Sequence, residues 1–153
     1  MTKISAKDIA ALRSETGAGV MDCKEALSKA QGDKAKALEI LAKKGKDRAK
    51  KREGRLAKQG VIEAYIHNGS RIGVLVDLRS ETDFVAKTDE FKELAHQIAM
   101  QVASMHPKDV KELLGQNFIF DEEKTIADLI EKIAAKTGEK IEIKRFERFE
   151  LGE

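Results

Sequence analysis

Three histidines and one cysteine are the imidazole and thiol groups of this 153-residue chain. They are its first candidates for metal binding or nucleophilic attack near neutral pH. His67 falls beside an Asn-Gly turn, His96 inside a helical stripe, and His106 directly before Pro107. No two of these groups have the His-x-x-x-His or Cys-x-x-Cys spacing of a metal site. Cys23 sits on the apolar face of a short helix, which marks it as a packed thiol, and a lone cysteine excludes an intramolecular disulfide. Gly-x-Ser-x-Gly and Gly-rich dinucleotide fingerprints are missing. Thr16-Gly17-Ala18-Gly19 precedes a helix and could cradle a phosphate. It lacks the Lys-Ser or Lys-Thr ending of a P-loop and follows no strand, so it reads as packing geometry. Covalent or metal-bound catalysis is not expected, and neither is a cofactor.

One segment breaks the local rules. Glu81-Thr82-Asp83-Phe84-Val85-Ala86-Lys87 sets two adjacent apolar residues among charges, so Phe84 and Val85 cannot both point into one face of a regular element. The chain has only 6 Phe, 1 Tyr and no Trp, so an aromatic ring placed in a polar turn calls for a reason. Phe84 either anchors in a partner's pocket, as aromatics on rigid turns do, or folds back onto the helix beginning at Thr88 like a hydrophobic staple.

The elements that must position these residues follow from period and punctuation. Ser5-Ala6-Lys7-Asp8 has capping-box spacing and opens a helix with Ile9 and Leu12 on one face. The glycines of 16–19 break it. Val20, Cys23, Leu27 and Ala30 mark a second helix, and Gln31-Gly32-Asp33 is a stop followed by a new N-cap. Ala35, Leu38, Leu41 and Ala42 line a third helix ending near Gly45. Residues 61–66 alternate, with Ile62, Ala64 and Ile66 on one face, and Asn68-Gly69 supplies a hairpin turn. The return strand, 71–79, turns Ile72, Val74, Val76 and Leu78 inward. Thr88 starts a long helix with the stripe Phe91, Leu94, Ile98, Val102 and Met105, ended by His106-Pro107. A short helix covers 109–114, and another covers 125–136, carrying Ile126, Leu129, Ile130 and Ile133 with Gly138 as its stop. Residues 141–146 read as a last strand whose alternation slips at Arg145-Phe146, as at a bulge or an edge. The fold class is α+β: a three-helix module over 1–45, a basic helical connector over 46–59, and over 60–153 an antiparallel three-stranded sheet covered by helices.

Charge is uneven along the chain. The formal net charge is +2, yet residues 43–58 hold 9 basic and 2 acidic groups. Such a run between two chemically different halves reads as a solvated connector, or as a contact for RNA or an acidic protein face. It carries no aromatic residue, so it has no base-stacking platform. The longest uncharged stretch, 94–107, is too short to span a bilayer, and the first eight residues lack an apolar run. A cytoplasmic protein is expected.

Leu12-Arg13-Ser14-Glu15-Thr16-Gly17-Ala18-Gly19-Val20-Met21-Asp22-Cys23-Lys24-Glu25-Ala26-Leu27, followed by Gly32-Asp33, resembles the N-terminal signature of the bacterial elongation factor Ts family. Thr82-Asp83-Phe84-Val85-Ala86 resembles that family's second signature, and Phe146-Glu147-Arg148-Phe149-Glu150-Leu151-Gly152-Glu153 its ending. The resemblance implies a ubiquitin-associated-like fold for the three-helix module. It also implies guanine-nucleotide exchange on elongation factor Tu, the GTPase that delivers aminoacyl-tRNA. Thr82, Asp83, Phe84 and Val85 would then be the segment that docks on the partner's nucleotide-binding domain and dislodges the groups holding its magnesium ion. Arg13, Val20 and Met21 would touch a helix of the same domain, Val20 standing where Met is common. Longer family members hold two core copies and a coiled-coil insertion. This chain has room for one copy, and short members resembling it are homodimers, so a dimer paired through the irregular last strand is expected. The reading from a different class is an RNA-binding or ribosome-associated protein that uses residues 43–58.

Overall fold

The computed structural model describes residues 4–153. In chain order they form α1 (Ala6–Thr16), α2 (Val20–Lys29), α3 (Lys34–Glu53), β1 (Gln59–Ile66), β2 (Ile72–Ser80), α4 (Asp83–Ala86), α5 (Asp89–Met105), α6 (Val110–Gly115), β3 (Asn117–Phe118), β4 (Asp121–Thr125), α7 (Ile126–Thr137) and β5 (Glu142–Glu150). The chain divides into two compact units between Glu53 and Gly54. The α+β plan is as expected: three helices, then a three-stranded antiparallel sheet packed against helices. The first three residues of the expected 1–45 module lie outside the described residues.

In the N-terminal unit, Ser5 caps α1 and Asp8 completes a reciprocal capping box, so the shorter aspartate closes it as glutamate would. Gly17 ends α1 with φ 68, a conformation that a β-carbon would oppose. Leu12, Cys23, Ala26, Leu27, Ala30, Ala37 and Leu41 form the core. Val20 is exposed instead, and so are Ala35 and Ala42, because α3 turns Ala37 and Leu41 inward. The third helix does not stop near Gly45 but runs on to Glu53. A mid-helix glycine costs about 1 kcal/mol, and flanking ion pairs hold the helix across it. Lys44 Nζ lies 2.7 Å from Asp22 and 2.9 Å from Glu25, and Arg48 reaches Asp22 at 2.7 and 3.1 Å. Of the expected 46–59 connector, the first half is therefore the end of α3, and irregular chain follows from Gly54.

These pairs make a pH prediction. Hydrogen bonds from Arg48 and then Lys44 hold the Asp22 carboxyl well below the usual range, at about 2. A carboxylate depressed on folding stabilises above its unfolded pKa, and that contribution is lost as pH falls from about 4 towards 2. With solvent screening the loss is about 1 kcal/mol. Asp22→Asn is expected to flatten that limb of the stability profile by this amount, read from urea unfolding at pH 6 and pH 2.5.

In the C-terminal unit, β2 is the central strand, antiparallel to β1 on one side and β5 on the other. Val74, Val76 and Leu78 of β2 meet Phe91, Leu94, Ile98 and Val102 of α5, joined by Ile126, Ile130 and Ile133 of α7 and Ile143 of β5. Met105, expected on the stripe, is half exposed. β1 presents Val61 and Tyr65 to this core, leaving Ile62, Ala64 and Ile66 on the outer face. Both faces of that strand are mostly apolar, so its period could not say which would turn inward. The expected irregularity is a bulge in β5. Asp77 pairs with Arg145 and Leu78 with Ile143, which leaves Lys144 as the extra residue. A small hairpin, β3–β4, was not anticipated. Fully buried Gln101 fixes it by donating to Asn117 O at 3.0 Å and accepting from Ile119 N at 2.9 Å.

Gly60 has φ 146 where β1 pairs with Arg79 of β2, and a β-carbon there would lie 2.1 Å from Leu78 O and 2.8 Å from Arg79 Cα. Both obstacles are backbone. Gly60→Ala is expected to cost about 2–4 kcal/mol, measured as a lower denaturant midpoint with an unchanged slope.

Candidate functional site

Segment 80–88 links the central strand to the long helix. Thr82 (φ −118, ψ 155) caps the single-turn helix α4, its Oγ1 accepting from Val85 N at 3.4 Å. One turn of helix sends adjacent side chains about 100° apart, and this separates the two apolar neighbours. Val85 packs against the core, while Phe84 is 80% exposed. The staple alternative for Phe84 is therefore excluded, since the ring does not fold back onto α5. Asp83 accepts from Lys87 Nζ at 2.8 Å, and that bond lowers its carboxyl pKa, so it stays charged at neutral pH.

Behind the ring lies a reciprocal clasp with the loop that follows α7. Glu139 Oε2 accepts from Glu81 N and Thr82 N, each at 3.1 Å, and Thr82 Oγ1 donates to Glu139 Oε1 at 2.5 Å. In return Glu81 Oε1 accepts from Lys140 N at 2.6 Å and from Arg55 NH1 at 3.2 Å. Arg55 also donates to Gly138 O at 2.9 Å. Ser80, wholly buried, donates to Thr82 O at 2.8 Å. Sequence reasoning missed Glu139, because no spacing rule joins residues 57 positions apart.

In the N-terminal unit the other expected contact residues are also open to solvent. Met21 is 71% and Val20 48% exposed at the start of α2, and Arg13 is exposed in the last turn of α1. Gly19 leaves the first turn of α2 without a side-chain cap.

The histidines have structural neighbours. His96 Nδ1 lies 3.1 Å from a Glu63 oxygen, and His67 Nδ1 lies 3.0 Å from the Tyr65 hydroxyl. Among the described residues, His106, Glu150 and Glu153 bring potential ligand atoms within 4.8 Å of one another. The Arg148 guanidinium stands there already, 2.8 Å from Glu150 and 3.7 Å from Glu153, and offsets one of the two carboxylate charges. In the basic run, Lys44 and Arg48 are paired with Asp22, which offsets part of the positive charge that the alternative RNA-binding reading would use. Among the described residues, no helix is long and apolar enough to cross a membrane.

Comparison with known proteins bears on the same segments. Residues 81–153 match the family described as elongation factor TS. Elongation factor Ts of Moorella thermoacetica is 43% identical, with 98% of this chain and 96% of that protein aligned. The protein of the same description from Thermotoga maritima is also 43% identical, over 99% of this chain and 98% of its own length. That of Desulforamulus reducens is 40% identical over 100% of this chain and 91% of its own length. These alignments run over 194 to 198 positions, so each relative contains residues that this 153-residue chain does without. With identity at this level along nearly its whole length, the chain belongs to the elongation factor Ts family.

Proposed function

We infer that this chain is a guanine-nucleotide exchange factor that speeds GDP release from elongation factor Tu in the cytoplasm, so that GTP can rebind. The activity is exchange and involves no covalent chemistry. Phe84 carries the reading of how it works: a ring 80% exposed on a short, well-tethered turn, beside a charged Asp83. Exposed aromatics on rigid supports are the usual anchors of protein interfaces. Thr82, Asp83, Phe84 and Val85 form the segment that dislodges the partner's magnesium-holding groups, with Val85 anchoring it inward and Phe84 making the contact. Arg13, Val20 and Met21 supply a second contact.

Linkage explains why such a surface suffices. A protein that binds nucleotide-free partner more tightly than GDP-bound partner must weaken GDP by the same factor. A ten-thousand-fold effect needs about 5.5 kcal/mol of differential affinity. One desolvated aromatic worth about 2–4 kcal/mol, with a few polar contacts, supplies that.

The working form is a homodimer, and its seam is the outer face of the sheet. Across the three strands the register aligns Ile66, Gly73 and Phe149, then Ala64, Leu75 and Glu147, then Ile62, Asp77 and Arg145. Ile62, Ile66, Leu75 and Phe149 are 64%, 63%, 47% and 69% exposed. A sheet covered by helices on one face, with an apolar cluster of Ile62, Ile66, Leu75 and Phe149 among charged residues on the other, suits face-to-face packing with a second copy. The edge of β5, the expected place of pairing, is broken by the Lys144 bulge and lined by charges, which discourages strand addition there.

The direct test adds the chain to elongation factor Tu loaded with a fluorescent GDP. Accelerated release on mixing with excess unlabelled nucleotide is expected. Release at the spontaneous rate would reject the reading, and binding to RNA that weakens steeply with salt would support its rival.

A further inference from the structure

We infer that Glu139 is a positioning residue for exchange: its carboxylate fixes the turn that aims Phe84. The inference rests on the reading of Phe84 as the exchange lever. A ring 80% exposed receives little guidance from its own packing, so its direction is decided by the backbone that carries it. That backbone is pinned at Thr82. The Thr82 N–H and hydroxyl both go to Glu139, its carbonyl goes to Ser80, and its Oγ1 caps the turn holding Phe84. The Glu81 N–H goes to Glu139 as well. One carboxylate thus takes three donors from two consecutive residues, and bonds to an ionised acceptor are the strong class.

Glu139 can reach them because Gly138, at φ 73, ends α7 with a left-handed turn that brings the next residue back towards the sheet. On the other side, Val85 packs against the core and Ala86 is buried within it. The segment is held at both ends, and the ring stands out between them. Without Glu139 the inner anchor persists while the Thr82 N–H and hydroxyl and the Glu81 N–H lose their acceptor, so the ring samples more directions. Each docking event must then order it again, a cost that pre-organisation otherwise removes.

The experiment measures the second-order rate constant for stimulated GDP release from elongation factor Tu with four full-length proteins: Glu139→Ala, Glu139→Gln, Phe84→Ala and the double variant Phe84→Ala/Glu139→Ala. Glu139→Ala is expected to lower the constant about tenfold. Glu139→Gln keeps an acceptor for the two N–H groups and should stay within about threefold of the unaltered chain. The double variant should be no more than about twofold slower than Phe84→Ala alone, since aiming an absent ring has no value. Thermal unfolding of Glu139→Ala, followed in parallel, should remain a single cooperative transition. If Phe84→Ala slows release and Glu139→Ala does not, the positioning role is overturned. An equal loss from Glu139→Ala with and without the ring would overturn it too, because Glu139 would then act elsewhere. If Phe84→Ala itself leaves the rate unchanged, the reading of the lever fails and the role of Glu139 goes with it.

Discussion

Phe84→Ala is expected to slow stimulated GDP release from elongation factor Tu by about 30- to 1000-fold, the range that corresponds to losing a 2–4 kcal/mol anchor. The fold should not notice. The ring touches solvent over most of its surface, and neighbouring Val85 and Ala86 supply the inward packing. The unfolding midpoint is therefore expected to stay within about 2 °C, the response to a surface change of a few tenths of a kcal/mol. Phe84→Leu separates bulk from ring shape: it retains apolar area but not the flat edge, and should lie between alanine and phenylalanine. Stopped-flow fluorescence of labelled GDP reads all three. A rate unchanged by alanine would show that the most exposed aromatic of this segment is not the lever.

Placing glutamate at Phe149 is expected to convert a dimer into a monomer. Phe149 lies opposite Gly73, whose missing side chain leaves a shelf that Ile66 partly covers, a β-carbon there coming within 3.1 Å of Ile66 Cδ1. A second copy seated on this face would bury the carboxylate against apolar surface in both protomers at once, because a two-fold seam repeats each change. Even a partly solvated charge costs a few kcal/mol in such a place, which raises the dissociation constant by at least about a thousandfold. Sedimentation equilibrium should report twice the 17.0 kDa chain mass for the unaltered protein and the single chain mass for Phe149→Glu. If the partner-binding surface is completed by the second subunit, the monomeric variant should also lose most of its exchange activity. A variant that is monomeric but fully active would reject the need for a dimer. An unaltered chain that sediments at 17.0 kDa would reject the dimer itself.

Much of the fold could be read locally. Capping at Ser5 and Thr88, stops at Gly17 and Gly138, the hairpin at Asn68-Gly69 and the stripe from Phe91 to Val102 all stand where period and punctuation put them. These signals depend on residues within four positions of one another, so the chain states them without reference to the rest of the molecule. The errors are of another kind. Gly45 looked like a helix end because propensity weighs one residue, whereas Asp22 and Glu25, far away in sequence, bind the turns around it. In 61–66, alternation showed two faces but could not rank Ile62 and Ile66 against Val61 and Tyr65, since that depends on where α5 lies.

The candidate site divides along the same line. Residue types alone singled out 81–87 as a polar turn with an unexplained ring, and the family signatures gave it a partner. Composition and motif spacing also argued against covalent and metal chemistry. Only tertiary structure decided that Val85 turns inward while Phe84 faces solvent, that one face of the sheet is left bare, and that Glu139 arrives from 57 residues away to hold Thr82. Period, caps and turns are enforced by short-range sterics and hydrogen bonds that any chain with these neighbours must obey. Orientation, exposure and long-range bonds follow from which packing of the finished elements buries the most apolar surface while satisfying the polar groups it encloses, and no local stretch of sequence contains that comparison.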